Sequence, residues 1–369
     1  MGYANDDGEL RVRFSPDIFR TQAYGGVSRY ITELHRGLVG RGVDSRVVAG
    51  LHVNSYLRGL PRSYGLDANW VRPRRARQAL TKVTDRALER LWCSRLDRTT
   101  IWHKTMFDRH IPEGPRLAVT VYDMIHERYP EQFGSRDVIP SSKRPWCEAA
   151  DVVFAISSTT RDDLLDRFGL PEDKVVVTPL GVTTVEPAPG PLPFAEPPWF
   201  LYVGERTKPY KNWQAVLGAL TALGPGFRLA CFGPPATAAE LDLLATRGLA
   251  DQVRFVGGDD RDLARMYRAA SALVYPSRFE GFGLPPLEAM AQGCPVVASR
   301  AGAIPEVLGD AAVFFDPTDV DDLSAALGQI LNDPDRTQGL RSRGYSQAAT
   351  FTWQRTVETT LGTYRAVTR

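Results

Sequence analysis

The chain has 369 residues, 43% of them hydrophobic and 24% charged, with a formal net charge of +2. That length is too great for one ordinary core and fits two domains of about 150 to 200 residues each. The composition is that of a folded globular protein and excludes a strong global attraction to nucleic acid, and no apolar run approaches the roughly 20 residues that a membrane-spanning helix needs.

From the N-terminus, Met1 to Glu9 is polar and acidic, unlike a secretory or transit peptide, so the expected compartment is the cytoplasm. Cys93, Cys147, Cys231 and Cys294 are widely spaced, form no CxxC pair and read as reduced, mostly buried thiols. Alternating β-branched runs and helical patterns predict strands over Arg11–Ser15, Ser45–Leu51, Thr100–Lys104, Arg116–Tyr122, Val152–Ile156 and Val175–Leu180, with helices between them. In AYGGVSRYITEL, Gly25 and Gly26 stand between the first strand and its helix, where glycines make a tight turn or let the backbone approach a substrate. From 71 to 98 basic residues outnumber acidic ones, and Leu80, Val83, Ala87 and Leu91 follow helical spacing. This is either a solvated helix laid over a core or a helix that touches an anionic membrane surface or a pyrophosphate-bearing acceptor. IWHKTMFDRH and LAVTVYDMIHERYPE then place His103, Tyr122 and His126 at or just beyond the ends of two strands.

Residues 182–198, VTTVEPAPGPLPFAEPP, are crowded with proline and read as a linker. The alternation restarts after it, with strands over Trp199–Gly204, Arg228–Gly233, Val253–Val256, Ala272–Tyr275, Pro295–Ser299 and Ala312–Phe315. The predicted domains are therefore 1–182 and 199–352, two doubly wound parallel sheets facing a central cleft, with 353–369 as closing helix. In YVGERTKPYKNW a strand ends at Gly204, and Arg206 and Lys211 sit on the following loop, where cations can meet charge developing on a leaving group. In YPSRFEGFGLPPLEAMA a strand leads through a glycine-bearing loop with Glu280 into a helix with Glu288, and the helix N-terminus offers amides to an anion. Two glutamates around such a turn, taken alone, describe a capped surface loop. Asp319, Asp321 and Asp322 precede a helix and read as its N-cap and first turn rather than a metal site.

The pattern EGFGLPPLEAMA, however, resembles the E-x7-E signature of the retaining glycosyltransferases of family 4, which have the GT-B fold of two Rossmann-like domains. The resemblance implies that Glu288 binds the ribose hydroxyls of a nucleotide sugar, that Glu280 contacts the transferred sugar, and that the Phe282, Gly283 and Leu284 amides meet the phosphates. It further implies that Arg206 and Lys211 bind the donor diphosphate, that Gly204 closes the strand before them, that the nucleotide base lies beside Val256, and that Gly25 and Gly26 border the phosphates and the acceptor. Many members carry a histidine where this chain has Tyr122, so Tyr122, or His103 nearby, is the expected sugar contact. The implied enzyme is a metal-independent hexosyltransferase without a cofactor. Its expected partners are a nucleotide sugar (GDP-mannose, or a UDP- or dTDP-sugar) and a glycan, lipid-linked or small-molecule acceptor. The alternatives are a catalytically silent GT-B subunit and a GT-B sugar-nucleotide epimerase.

Overall fold

The structure, a computed structural model, describes residues 10–72, 74–93, 95–134, 139–196 and 198–369, so the segment Met1 to Glu9 lies outside the described residues. It divides into two compact units, one of Met1–Gly181 with Trp353–Arg369 and one of Val182–Thr352.

The first unit runs β1 (Arg11–Phe14), α1 (Asp17–Thr21), α2 (Gly26–Val39), β2 (Asp44–His52), β3 (Ser63–Asp67), α3 (Arg74–Cys93) and β4 (Thr100–Lys104). It continues with β5 (Arg116–Val121), α4 (Ile125–Arg128), α5 (Ile139–Ala149), β6 (Val152–Ala155), α6 (Ser158–Phe168) and β7 (Val175–Val177). The strands form a seven-stranded sheet in the order β3-β2-β1-β4-β5-β6-β7, all pairs parallel. Strand β3 is an addition to the strands expected from sequence. Its SYGLD lacks a clear alternation, and it joins the edge of β2 across a register shift between Val48 and Gly50. Local rules fix the helix ends: Ser157 caps α6 by accepting from the Thr160 amide, and Gly169, at φ 65°, ends it in the left-handed region.

The second unit runs β8 (Trp199–Val203), α7 (Trp213–Leu223), β9 (Arg228–Phe232), α8 (Ala238–Thr246), β10 (Val253–Val256), α9 (Asp260–Ala269) and β11 (Ala272–Tyr275). It closes with α10 (Leu284–Ala291), β12 (Val296–Ser299), α11 (Ile304–Leu308), β13 (Val313–Phe315), α12 (Val320–Asn332) and α13 (Pro334–Thr350). Its six strands are parallel in the order β10-β9-β8-β11-β12-β13, the doubly wound order whose winding reverses between β8 and β11. Phe200, Leu217, Leu220, Val274, Leu323 and Leu327 are part of its core. The proline-rich stretch from Val182 is fastened to this unit: the Val185 carbonyl accepts from Gln292 at 2.6 Å, and the Ala188 carbonyl from Arg265 at 2.9 Å. The final helix, α14 (Trp353–Thr368), belongs to the first unit, where Thr356 donates to the Pro179 carbonyl at 2.7 Å.

The helical spacing of Leu80, Val83, Ala87 and Leu91 is real, but all four are exposed on α3, while Thr81, Glu89 and Cys93 are buried. The reading of these leucines as packed over a core is therefore corrected: a charged group, not the apolar stripe, faces inward. All four cysteines are free and buried, and burial pushes each thiol up to about 12. Among the described residues no helix is long and apolar enough to cross a membrane.

Candidate active site

In open parallel sheets, ligands bind beyond the carboxyl ends of the strands where the winding reverses. In the second unit that place lies between the loops after β8 and β11, and the chain builds a charged pair there. Lys211 Nζ donates to Glu280 Oε1 at 2.6 Å, with both side chains largely shielded from solvent. Two contacts hold the two loops in register, and a third ties them to the loop after β13. The Arg278 amide donates to the Tyr210 carbonyl at 2.7 Å, and Asn212 Nδ2 donates to the Pro276 carbonyl at 3.1 Å and the Pro317 carbonyl at 2.8 Å. Asn212 takes φ 54°, a left-handed conformation that asparagine tolerates better than most residues, and so tips its amide between the loops. Sequence reading passed over Asn212, and its position just after Lys211 at a helix start was the available signal.

Glu280 is pinned from behind as well. The Ala303 amide donates to its carbonyl at 3.0 Å, and Gly302 lies so close that an added Cβ would stand 2.6 Å from the Glu280 oxygen and 2.8 Å from its nitrogen. Glu280 is thus a buried, oriented carboxylate, which sets aside the capped surface loop. Burial, reinforced by the Glu280 charge, raises the Tyr275 hydroxyl well above the usual tyrosine range.

Beyond Glu280 the backbone turns through Phe282, buried against Phe351, into α10. Gly283 is the N-cap at φ 110° with no side-chain cap. Pro285 and Pro286 carry no N–H and the Leu287 amide closes the first helical turn onto Gly283, so the donors at this helix start come from Gly283 and Leu284. Further along α10, Glu288 accepts from the Tyr267 hydroxyl at 3.4 Å. Beside this loop the ends of three strands carry no side chain: Gly204, Gly233 and Gly257 follow β8, β9 and β10. The Gly233 amide bonds the Val256 carbonyl at 2.9 Å, and a Cβ on Gly233 would sit 3.1 Å from the Gly204 oxygen. A flat polar ligand could lie along that ledge.

Arg206 is buried, and most of its guanidinium is already engaged. Its Nε donates to Glu240 Oε1 at 2.7 Å and its Nη2 to the Pro234 carbonyl at 2.7 Å, and the guanidinium stacks 4.7 Å from the centre of Phe255. The nitrogen left over, Nη1, is buried without a hydrogen-bond partner among the described residues. Glu240 is the residue that sequence reading missed here, because nothing in a capping Thr237-x-x-Glu240 announces a distant arginine.

In the first unit Gly25, at φ 157°, is the N-cap of α2 and Gly26 its first residue, both clear of the core. Tyr122 follows β5 directly, with its ring edge-on to Tyr30 at 5.9 Å, and its hydroxyl is buried with no partner of hydrogen-bonding geometry among the described residues. Burial, then the neighbouring Tyr30, raises that hydroxyl well above the usual range. His103 is corrected from sugar contact to core residue. It is fully buried, Nε2 lies 2.9 Å from Thr120 Oγ1, and Nδ1 bonds the Tyr364 hydroxyl, so neither ring nitrogen is available to a substrate. His126 packs on Phe133 with ring centres 4.0 Å apart. Asp17, Glu89 and Asp108 form a carboxylate group of metal-binding dimensions, but Lys104 Nζ sits among them at 3.0, 2.8 and 3.1 Å. Asp319 accepts from the amides of Asp321 and Asp322 and caps α12.

Two family profiles match this chain: Glycosyltransferase Family 4 over residues 24–186 and Glycosyl transferases group 1 over 188–347. The O-antigen chain mannosyltransferase B of Escherichia coli is 31% identical over 301 residues, covering 74% of this chain and 76% of that protein. The MMP alpha-(1->4)-mannosyltransferase of Mycolicibacterium hassiacum is 33% identical over 229 residues, 59% of this chain and 54% of that protein, so this match spans about half of that relative's length. In fold the chain is similar to sucrose-phosphate synthase from Thermosynechococcus elongatus, with a TM-score of 0.74 at 21% identity over 97% of this chain and 98% of that one. With both halves matched and a relative of this identity aligned over most of its length, the chain belongs to the family 4 glycosyltransferases of GT-B fold.

Proposed function

We propose that this glycosyltransferase moves a hexose, mannose by analogy with its two mannosyltransferase relatives, from a nucleotide diphosphate to an acceptor hydroxyl with retention of configuration. The observation that carries the reading is the shielded Lys211–Glu280 pair at the reversal point of the second sheet, beside the uncapped start of α10. In this reading the donor lies along the glycine ledge with its base at Val256 and its ribose hydroxyls on the Glu288 carboxylate. Its diphosphate faces the Gly283 and Leu284 amides. Lys211 and the uncommitted Nη1 of Arg206 meet the charge that grows on the leaving oxygens, and a buried guanidinium N–H without a partner is costly unless a ligand supplies one. Glu280 accepts hydroxyl hydrogen bonds from the transferred sugar, Tyr122 is a further contact to that sugar, and the Gly25–Gly26 turn borders the acceptor. The acceptor hydroxyl attacks from the side the diphosphate leaves, and a phosphate oxygen takes its proton, so no carboxylate base is required. Because Lys211, Arg206 and helix amides supply the positive charge, the reading needs no metal.

Thermal-shift measurements on the purified protein against GDP-mannose, UDP-, dTDP- and ADP-glucose, with magnesium or with a chelator, test this. GDP-mannose is expected to stabilise the protein equally in both media and to lose that effect in Glu288→Ala. Lys211→Ala is expected to cut transfer by about 100-fold or more with folding intact. No stabilisation by any nucleotide sugar at about a millimolar would defeat the donor site, and stabilisation only with magnesium would defeat metal independence. The anomeric configuration of the product, read by NMR, decides retention.

A further inference from the structure

Helix α3 is built the wrong way round for a core helix. At about 100° per residue Leu80, Val83, Ala87 and Leu91 share one stripe, and that stripe faces solvent. Leu80 is 42%, Val83 68% and Leu91 48% exposed, and just before the helix Leu66 is 71% and Trp70 75% exposed. Among the described residues nine large hydrophobic side chains are exposed, and five of them fall in this one stretch, so the patch is a concentration and not scatter. Isolated exposed leucines would need no explanation.

The inward face shows why the stripe cannot turn over. Glu89 is buried and accepts from Lys104 Nζ at 2.8 Å, and the same ammonium bonds Asp17 at 3.0 Å and Asp108 at 3.1 Å and lies 5.1 Å from the centre of the Trp146 ring. Rotating α3 to bury its leucines would draw Glu89 out of this cluster and leave Lys104 short of a partner in the interior. The ion cluster therefore holds the apolar stripe outward. It also ties α3 to the start of α1 and to the loop after β4, where the winding of the first sheet reverses.

Charge selects the occupant. Nine basic and three acidic residues stand between 71 and 98 in a chain whose total is only +2, so the rest of the chain is net negative. Arg72, Arg75, Arg90, Arg95 and Arg98 are all exposed. A second copy of this face would meet like charge, and a nucleic acid would leave the leucines and Trp70 in water. An anionic bilayer accepts both, since acyl chains take the apolar stripe and headgroup phosphates take the arginines. We propose that α3, with Leu66 and Trp70, docks the protein on an anionic lipid surface, which would present a lipid-borne acceptor to the carboxyl end of the first sheet, where Gly25 and Gly26 lie. This docking does not depend on the reading of the donor site.

Co-sedimentation of the full chain with vesicles of phosphatidylcholine, with or without about 30% phosphatidylglycerol, tests it. The wild type is expected to pellet at least roughly tenfold more with the anionic vesicles and to be released as salt rises. Leu80→Glu/Val83→Glu, which alters only exposed positions, is expected to lose that binding while melting temperature and turnover of a soluble donor stay unchanged. Equal pelleting of variant and wild type, or no preference for anionic vesicles, overturns the proposal. So does sedimentation velocity showing that the wild type self-associates, that the double variant is monomeric and that neither binds vesicles.

Discussion

His103 illustrates how burial decides what a side chain can do. Its ring is stacked on Phe154 with centres 5.8 Å apart, both nitrogens are hydrogen-bonded, and desolvation pushes its pKa down to about 3 from an ordinary 6.5. The folded chain therefore refuses a proton that the unfolded chain accepts. The stability associated with this group is complete above pH 6.5 and is lost as pH falls from there toward about 3, at roughly 1 kcal/mol per pH unit. We expect His103→Gln to be less stable at neutral pH but to lose stability less steeply on acidification, as read from urea midpoints by tryptophan fluorescence between about pH 7 and 5. Parallel slopes for the two proteins would refute the assignment. The same reasoning separates the two loop cations of the second unit: Lys211 reaches Glu280, while most of the Arg206 guanidinium is committed to Glu240 and to carbonyls.

At the scale of elements, one carboxylate carries two duties at the start of α8. Glu240 Oε2 accepts from the Thr237 amide at 2.7 Å, closing a capping box, and Oε1 accepts from Arg206 at 2.7 Å. Burial works to raise its pKa, but Arg206 and Thr237 outweigh that and hold the carboxyl below the usual glutamate range. Glu240→Ala removes half of the capping box and deprives a buried guanidinium of its carboxylate. We expect a loss of about 3 kcal/mol or more in chemical denaturation, with Glu240→Gln costing clearly less because the amide oxygen can still accept. Equal losses would mean that the ion pair contributes little. In α10 the arrangement is different, because two prolines in the first turn remove amides and leave Gly283 and Leu284 as the donors.

For the whole molecule, the last helix completes the first unit. Tyr364 of α14 is fully buried on His103, Glu358 pairs with Arg41 at 3.3 Å, and Val357 fills the space that a Cβ on Gly37 would need, 2.4 Å away. Deleting Trp353–Arg369 should uncover His103 and the apolar surface of α2. We expect limited proteolysis of the truncated chain to degrade residues 10–181 rapidly while 182–352 persists as a resistant fragment. A truncated protein whose two units resist equally would show that α14 is dispensable to the fold.

Much of this architecture is legible in the sequence because the signals are local. Strand ends such as Lys104, Val256 and Tyr275, the helix from Trp213 to Leu223, and the loop from Glu280 to Gly283 follow from periodicity and turn chemistry within a few residues. The pairing of Lys211 with Glu280 was not legible, nor were the burial of His103, the capture of Arg206 by Glu240 and the outward face of α3. Each depends on a partner far along the chain: 69 residues separate Lys211 from Glu280, 261 separate His103 from Tyr364, and 34 separate Arg206 from Glu240. The sequence by itself determined the alternating elements, the glycine turns and the family signature, since these need only neighbours. Tertiary structure alone decided which charged groups are buried and which partners they meet, because the cost of desolvating a charge is set by whatever the fold brings beside it.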